Sequence, residues 1–182
     1  MSGDNSEDIV QEVQRLRQRL YEIERLLAPS TREVVPAGQL TILITRVGQE
    51  RFAFQHHSID EIVPIARLTR TPDTDPWNAG LLNLRGKMIP VIDILARFQK
   101  KRRRQDLSDF IVICQTNDRP VGLVVQEVIG IQTIGSEDVH PPPKDVPFAP
   151  HLIGALEIGS WPALLLSVKH FVETLNLPSE NG

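Results

Sequence analysis

The chain holds one cysteine, Cys114, in 182 residues, which excludes an intramolecular disulfide and a cysteine-built zinc centre and suits a reducing compartment. Aromatic residues make up only 5% of it, too few for the stacking platforms on which small β-barrels hold single-stranded nucleic acid. Charge is nearly balanced, with 20 Lys and Arg against 23 Asp and Glu, so no global attraction to a polyanion is expected. No apolar run approaches the roughly 20 residues needed to span a bilayer. The opening MSGDNSEDIV is polar and acidic, the opposite of a secretory signal. These features predict a cytoplasmic protein with no direct membrane insertion. The 41% hydrophobic content is that of an ordinary globular chain, long enough for one good core or two small ones sharing a face.

Signatures of catalysis are also missing. There is no G-x-S-x-G, P-loop or dinucleotide fingerprint, and Gly122, Gly130 and Gly135 are too dispersed to cradle a phosphate. Asp60 and Asp93 form a carboxylate pair only if the fold happens to bring them together. His56 and His57 beside Asp60 and Glu61 come nearest to a metal cluster. Neighbours on a strand point to opposite faces, however, and no spaced histidine pair completes the set. Cys114 lies in the apolar run FIVIC, where a buried, inert thiol is expected. The reading is a protein without enzyme activity, metal or cofactor.

What is present begins with a helix. Residues 7–28, EDIVQEVQRLRQRLYEIERLLA, are strong helix formers with acids in the first turn and Pro29 as a stop. Ile9, Val13, Leu16, Leu20, Ile23 and Leu27 alternate spacings of four and three, the seam of a coiled coil. Such a seam serves self-association, docking on the chain's own domain or binding of a partner helix. Residues 29–37 read as a linker, giving three parts: helix 1–28, linker 29–37 and a β-rich domain 38–178.

In that domain LTILITRV and ERFAF read as a hairpin around Gly48-Gln49, and DEIVPIARL as a strand bent or edged by Pro64. FIVIC and PVGLVVQEVIGI form a second hairpin, LIGALEI and PALLLSV a third, and KHFVETLNL a short closing helix. The proline-rich VHPPPKDVPFAP cannot form a regular sheet strand. Nine or ten short strands predict barrels or a sandwich. The charged loop QKKRRRQDLSD near the middle favours two small barrels over one large one. Its run Lys100 to Arg104 also suggests an alternative function, a nucleic-acid-binding barrel, although no aromatic alternates with the basic residues.

The stretch LLNLRGKMIPVIDILARF (81–98) places Arg85-Gly86-Lys87 between two apolar strands, with Pro90 inside the second and Asp93 at its end. Charges and a proline there need a reason. From Asn83 onward the stretch resembles the signature of CheW-like adaptor domains. The hairpin 40–54, IDEIVPI, PVGLVVQEVIGI, LIGALEI and PALLLSVKHFVETL follow in the family's order, so the resemblance spans about residues 38–176. It implies a mainly β fold of two packed five-stranded SH3-like barrels, the N-terminal helix lying outside the family core.

The resemblance further implies a scaffold that couples chemoreceptor cytoplasmic tips to the regulatory domain of a CheA-like histidine kinase, recruited to membrane receptor arrays. On it, Arg85 pairs with Glu61, and both, with Ile59 and Gly80, belong to the receptor-facing surface. Val121 and Val124 are weaker members. Asn83, Gly86, Pro90 and Asp93 are turn and framework residues, and the kinase meets an apolar patch on the first barrel. Departures from the family pattern are Ile94, Leu95, Gln99 and the Trp161-Pro162 turn.

Overall fold

The first apolar run shows how the domain is built. In LTILITRV, Leu40, Ile42 and Ile44 alternate with Leu43 and Val47, and both sets are buried. A strand reads as continuously apolar when both of its faces are covered. The computed structural model describes residues 35, 37–72, 75–99, 105–116, 119–175 and 177. The 7–28 seam and the run Lys100 to Arg104 lie outside them.

Ten strands form two five-stranded sheets. Strands β1 (Gln39–Val47), β2 (Glu50–Gln55), β8 (Glu127–Gly135), β9 (Leu152–Ile158) and β10 (Trp161–Leu166) lie in the order β8-β1-β2-β10-β9. Strands β3 (Ile59–Pro64), β4 (Asn78–Leu84), β5 (Lys87–Asp93), β6 (Phe110–Gln115) and β7 (Pro120–Val125) lie in the order β3-β6-β7-β5-β4. The first set is barrel A and the second barrel B. Each is drawn closed by one bridge between its edges: His140 with Ala155 in A, Thr69 with Leu81 in B.

The two barrels share one plan. A hairpin, an antiparallel edge strand and a parallel pairing recur, β1-β2 with β8 and β10 in A, and β6-β7 with β3 and β5 in B. Each half of the chain ends its third strand of the second group in a short helix, α1 (Ile94–Gln99) after β5 and α2 (Val168–Glu173) after β10. The halves are exchanged: the first supplies two strands to A and three to B, and the second does the reverse.

Three sequence expectations change here. The run 120–131 is not one strand: it leaves barrel B at Gln126 and enters barrel A as β8, because each side of that residue finds a different hairpin to pair with. The basic loop does not separate the barrels, since it joins β5 and α1 to β6, within B. The strand expected over 60–68 ends at Pro64.

Three cores result. Leu40, Ile42, Ala53, Ile153 and Leu165 fill barrel A, and Leu82, Ile89, Val91, Ile111 and Val124 fill barrel B. A larger cluster lies between them, with Leu43, Phe52 and Phe54 from A meeting Val112, Val121 and Leu123 from B. Phe98 of α1, partly buried, packs against it, 5.7 Å from Phe52, 4.8 Å from Phe148 and 5.6 Å from Phe171 of α2. His151 is buried edge-on to Phe171, and desolvation, helped by the nearby charge of Arg97, lowers its pKa to about 3. Helix starts are capped at matching places: the Asp93 carboxylate accepts from the Ala96 N–H at 2.9 Å and the Ser167 hydroxyl from the His170 N–H at 3.1 Å.

Candidate functional site

In barrel B the turn from β4 to β5 is as short as a hairpin allows. Leu84 pairs with Lys87, leaving Arg85 and Gly86 as the loop, at φ 53° and 86°. Two left-handed residues define the turn whose twist matches the flanking strands. Glycine adopts that conformation freely, whereas an L side chain costs about 1–2 kcal/mol. Arg85 is the one non-glycine described residue with positive φ. A hydrogen bond supports it: the Gly86 N–H donates to Asn83 Oδ1 at 2.9 Å.

From this turn Arg85 Nη2 donates to Glu61 Oε2 at 2.9 Å. The arginine side chain is 80% exposed and the glutamate 28%. Glu61 lies on β3 and Arg85 at the end of β4, the two edges of sheet B, so the ion pair spans the barrel's seam. A register shift at Asp60 brings Ile59 and Ile62 to one side, against the core between the barrels. Asp60 itself is exposed and accepts from Gln115 Nε2.

Gly80 closes the same seam from beneath. It is buried at φ 123°, and a Cβ there would lie 2.5 Å from the Thr69 carbonyl oxygen. Thr69 and Leu81 exchange both backbone hydrogen bonds at 2.8 Å beside it. Glycine is therefore required for backbone approach, and Gly80 offers no side chain to a partner. Val121 and Val124, expected as weaker members of the receptor-facing surface, need correction. They are 0% and 1% exposed, one in the core between the barrels and the other inside barrel B, and neither reaches a surface. Pro90 leaves its mark on the ladder: β5 pairs with β7 only from Val91, whereas Leu164, its counterpart in barrel A, pairs with Phe52.

Barrel A supplies an internal control. One row across barrel B runs Glu61, Ile113, Gly122, Val91, Gly80, and the matching row across A runs Gly130, Ile44, Ala53, Leu165, Gly154. The seam glycine is repeated, Gly154 against His140 answering Gly80 against Thr69. The ion pair is not. Gly130 stands in the place of Glu61, and the β9-β10 turn has Gly159 and Ser160 in the places of Arg85 and Gly86. A barrel of this plan thus closes without the ion pair. Exposed surface pairs are worth about 0–1 kcal/mol in any case.

Burial, and secondarily the Asp60 charge, pushes the Cys114 thiol up to about 12, far from a reactive thiolate. His56 and His57 are both exposed on the single turn His56–Ser58. Elsewhere Ile129, Ile131 and Trp161 of barrel A are exposed, and the Arg51 guanidinium lies over the Trp161 ring at 4.9 Å. Sequence reasoning singled out Trp161 only as part of a turn that departs from the family pattern; Ile129 and Ile131 read as core in the apolar run 120–131, although β8 carries no buried residue.

Comparison with known proteins supplies the context. The model of the CheW-like domain matches residues 41–175. The chemotaxis protein CheW of Rhizobium meliloti (strain 1021) is 30% identical over 106 residues, 58% of this chain and 68% of that one. Protein FrzA of Myxococcus xanthus is 28% identical over 113 residues, 62% and 71% of the two chains. The crystal structure of scaffolding protein TtCheW from Thermoanaerobacter tengcongensis has the same fold, with a TM-score of 0.69 at 24% identity, covering 81% of this chain and 96% of that chain.

Proposed function

Because the chain belongs to the CheW-like domain family, we propose that it is a non-enzymatic adaptor that couples chemoreceptor cytoplasmic tips to a CheA-like histidine kinase in a motility or phototaxis pathway. The observation that carries the reading is the Arg85–Glu61 pair at the seam of barrel B, absent from the equivalent seam of barrel A. A left-handed arginine at a place where glycine serves the other barrel is a cost without structural return, and partner recognition supplies the return. Nε and Nη1 of Arg85 have no hydrogen-bond partner among the described residues, so a receptor segment offering a carboxylate or amide oxygen finds ready donors. Ile59, partly buried against the core between the barrels, precedes Glu61 by two residues on β3, and Gly80 maintains the backbone at the seam.

The kinase regulatory domain is proposed to meet barrel A, where Ile129, Ile131 and Trp161 are exposed. Aromatic and arginine side chains such as Trp161 and Arg51 dominate binding at interfaces of this kind. By fixing receptor and kinase together, the adaptor lets a small receptor shift bias the kinase between two states. The seam of residues 7–28 adds self-association to the proposal, tested by comparing the sedimentation mass of the full chain with that of a chain starting at Ala37. Among the described residues no helix is long and apolar enough to cross a membrane. The protein is proposed to be cytoplasmic and drawn to receptor arrays by its contacts.

The test is capture from native cell extract with the full chain as bait, beside Arg85→Ala. Receptor and kinase retained by the wild type, with receptor alone lost on Arg85→Ala, is the expected result. Retention of neither by the wild type would overturn the adaptor reading.

A further inference from the structure

The turn that carries Arg85 differs from its counterpart in barrel A at a third place. Where barrel A has Glu157, barrel B has Asn83, two residues ahead of the first turn position in each case. In barrel A that first position is Gly159, at φ 61°, and glycine holds the left-handed form unaided. In barrel B it is Arg85, at φ 53°, which does not. What holds Arg85 in place is the bond from the Gly86 N–H to Asn83 Oδ1, 2.9 Å long, which closes a ring over the turn from the strand side. Gly86 contributes only conformation, since a Cβ there would meet nothing within 4 Å.

Resting on the reading of Arg85 as the receptor contact, we infer that Asn83 is a positioning residue for it. Asn83 fixes the left-handed Arg85-Gly86 turn, and the turn in turn sets where the guanidinium stands at the seam beside Glu61. Without the Asn83 acceptor, the two turn residues are released to the ordinary right-handed turns that an arginine prefers. Those turns splay the strand ends and carry the Arg85 Cα away from β3. The fold stays intact, because Asn83 is exposed and the rest of the β4-β5 ladder does not depend on its side chain. The partner contact weakens because it must restore the turn before it forms.

The experiment uses the full chain and, as probe, a soluble cytoplasmic fragment of a chemoreceptor from the same cell, titrated against Asn83→Ala, Asn83→Asp, Arg85→Ala and the Asn83→Ala/Arg85→Ala double variant. Losing one net hydrogen bond corresponds to a roughly 2- to 10-fold weaker association for Asn83→Ala. Asn83→Asp keeps an oxygen in place and is expected to restore binding to within about twofold of wild type. The double variant is expected to bind no more weakly than Arg85→Ala, since Asn83 acts through Arg85. Amide exchange gives an independent readout: Gly86 N–H protected in the wild type and Asn83→Asp, and open in Asn83→Ala.

Wild-type binding by Asn83→Ala, an Asn83→Asp as weak as Asn83→Ala, or a loss in the double variant that adds to that of Arg85→Ala would each overturn the inference. If Arg85→Ala binds like wild type while Gly86 protection still depends on Asn83, the fault lies in the receptor reading, and the positioning role falls with it.

Discussion

Gly80→Ala is expected to be among the most damaging single-methyl additions in barrel B. Two effects combine at this position. A φ of 123° is a conformation that side-chain-bearing residues adopt at a cost of about 1–3 kcal/mol. The added Cβ also falls 2.5 Å from the Thr69 carbonyl oxygen, and that oxygen is pinned by the paired Thr69–Leu81 hydrogen bonds. Relief requires stretching the bridge, and each hydrogen bond there is worth about 1 kcal/mol net. Together the expected loss is about 2–4 kcal/mol. At roughly 2–4 °C per kcal/mol for a chain of this size, the melting midpoint falls by about 5–15 °C. Gly86→Ala provides the control. Its φ of 86° is unfavourable, yet a Cβ there meets nothing, so only the conformational part of about 1–2 kcal/mol applies. Urea unfolding of both variants measures the difference directly. A Gly80→Ala no less stable than Gly86→Ala would refute the claim that backbone approach at the seam demands glycine. Receptor binding should fall in Gly80→Ala along with stability, in contrast to Arg85→Ala.

Three further outcomes follow from buried groups. The pKa of His151 is lowered from about 6.5 to about 3 by folding, so between these values the unfolded chain binds more protons than the folded one. Stability is therefore complete above about pH 6.5 and declines as pH falls toward 3, by up to ~1.4 kcal/mol per pH unit from this group. In urea titrations across that window, His151→Phe should show a shallower decline, and an unchanged slope would contradict the assignment. Cys114, raised to about 12 by burial, should resist a thiol reagent at pH 8 until the protein unfolds; labelling at the rate of a free thiol would contradict its burial. Asp93→Ala removes the Ala96 cap and a buried acceptor and should lower stability by about 1–3 kcal/mol, with Asp93→Asn retaining much of it because an oxygen remains to accept; equal losses in the two variants would contradict the capping role.

The hairpins were legible because their ends are marked. Gly48-Gln49 separates two apolar runs, and the chain turns there with Gly48 at φ 68°. The exchange of strands between barrels was not legible. VVQEVIG is apolar on both sides of Gln126, and nothing local says that Val125 pairs with Phe110 while Val128 pairs with Thr45. Val121 and Val124 were misplaced for a related reason: in a strand covered on both faces, alternation points to no solvent side. The Arg85–Glu61 pair came from family resemblance, since no local pattern joins residues on separate edge strands. The left-handed Arg85 escaped notice because Asn-Gly and Asp-Gly signal such a turn and Arg-Gly does not. The internal likeness of the two halves is visible only once register is known, when ILIT and IVIC fall on equivalent strands.

The central claim is that the arginine at the barrel B seam serves a partner and not the barrel. Its most direct test is a paired measurement on Arg85→Ala: calorimetric titration with the chemoreceptor cytoplasmic fragment, and urea unfolding of the same preparation. Unfolding energies within about 1 kcal/mol of wild type, with receptor affinity reduced at least tenfold, is the predicted pair of results. Unchanged affinity together with a large loss of stability would make Arg85 a brace of the barrel and contradict the account.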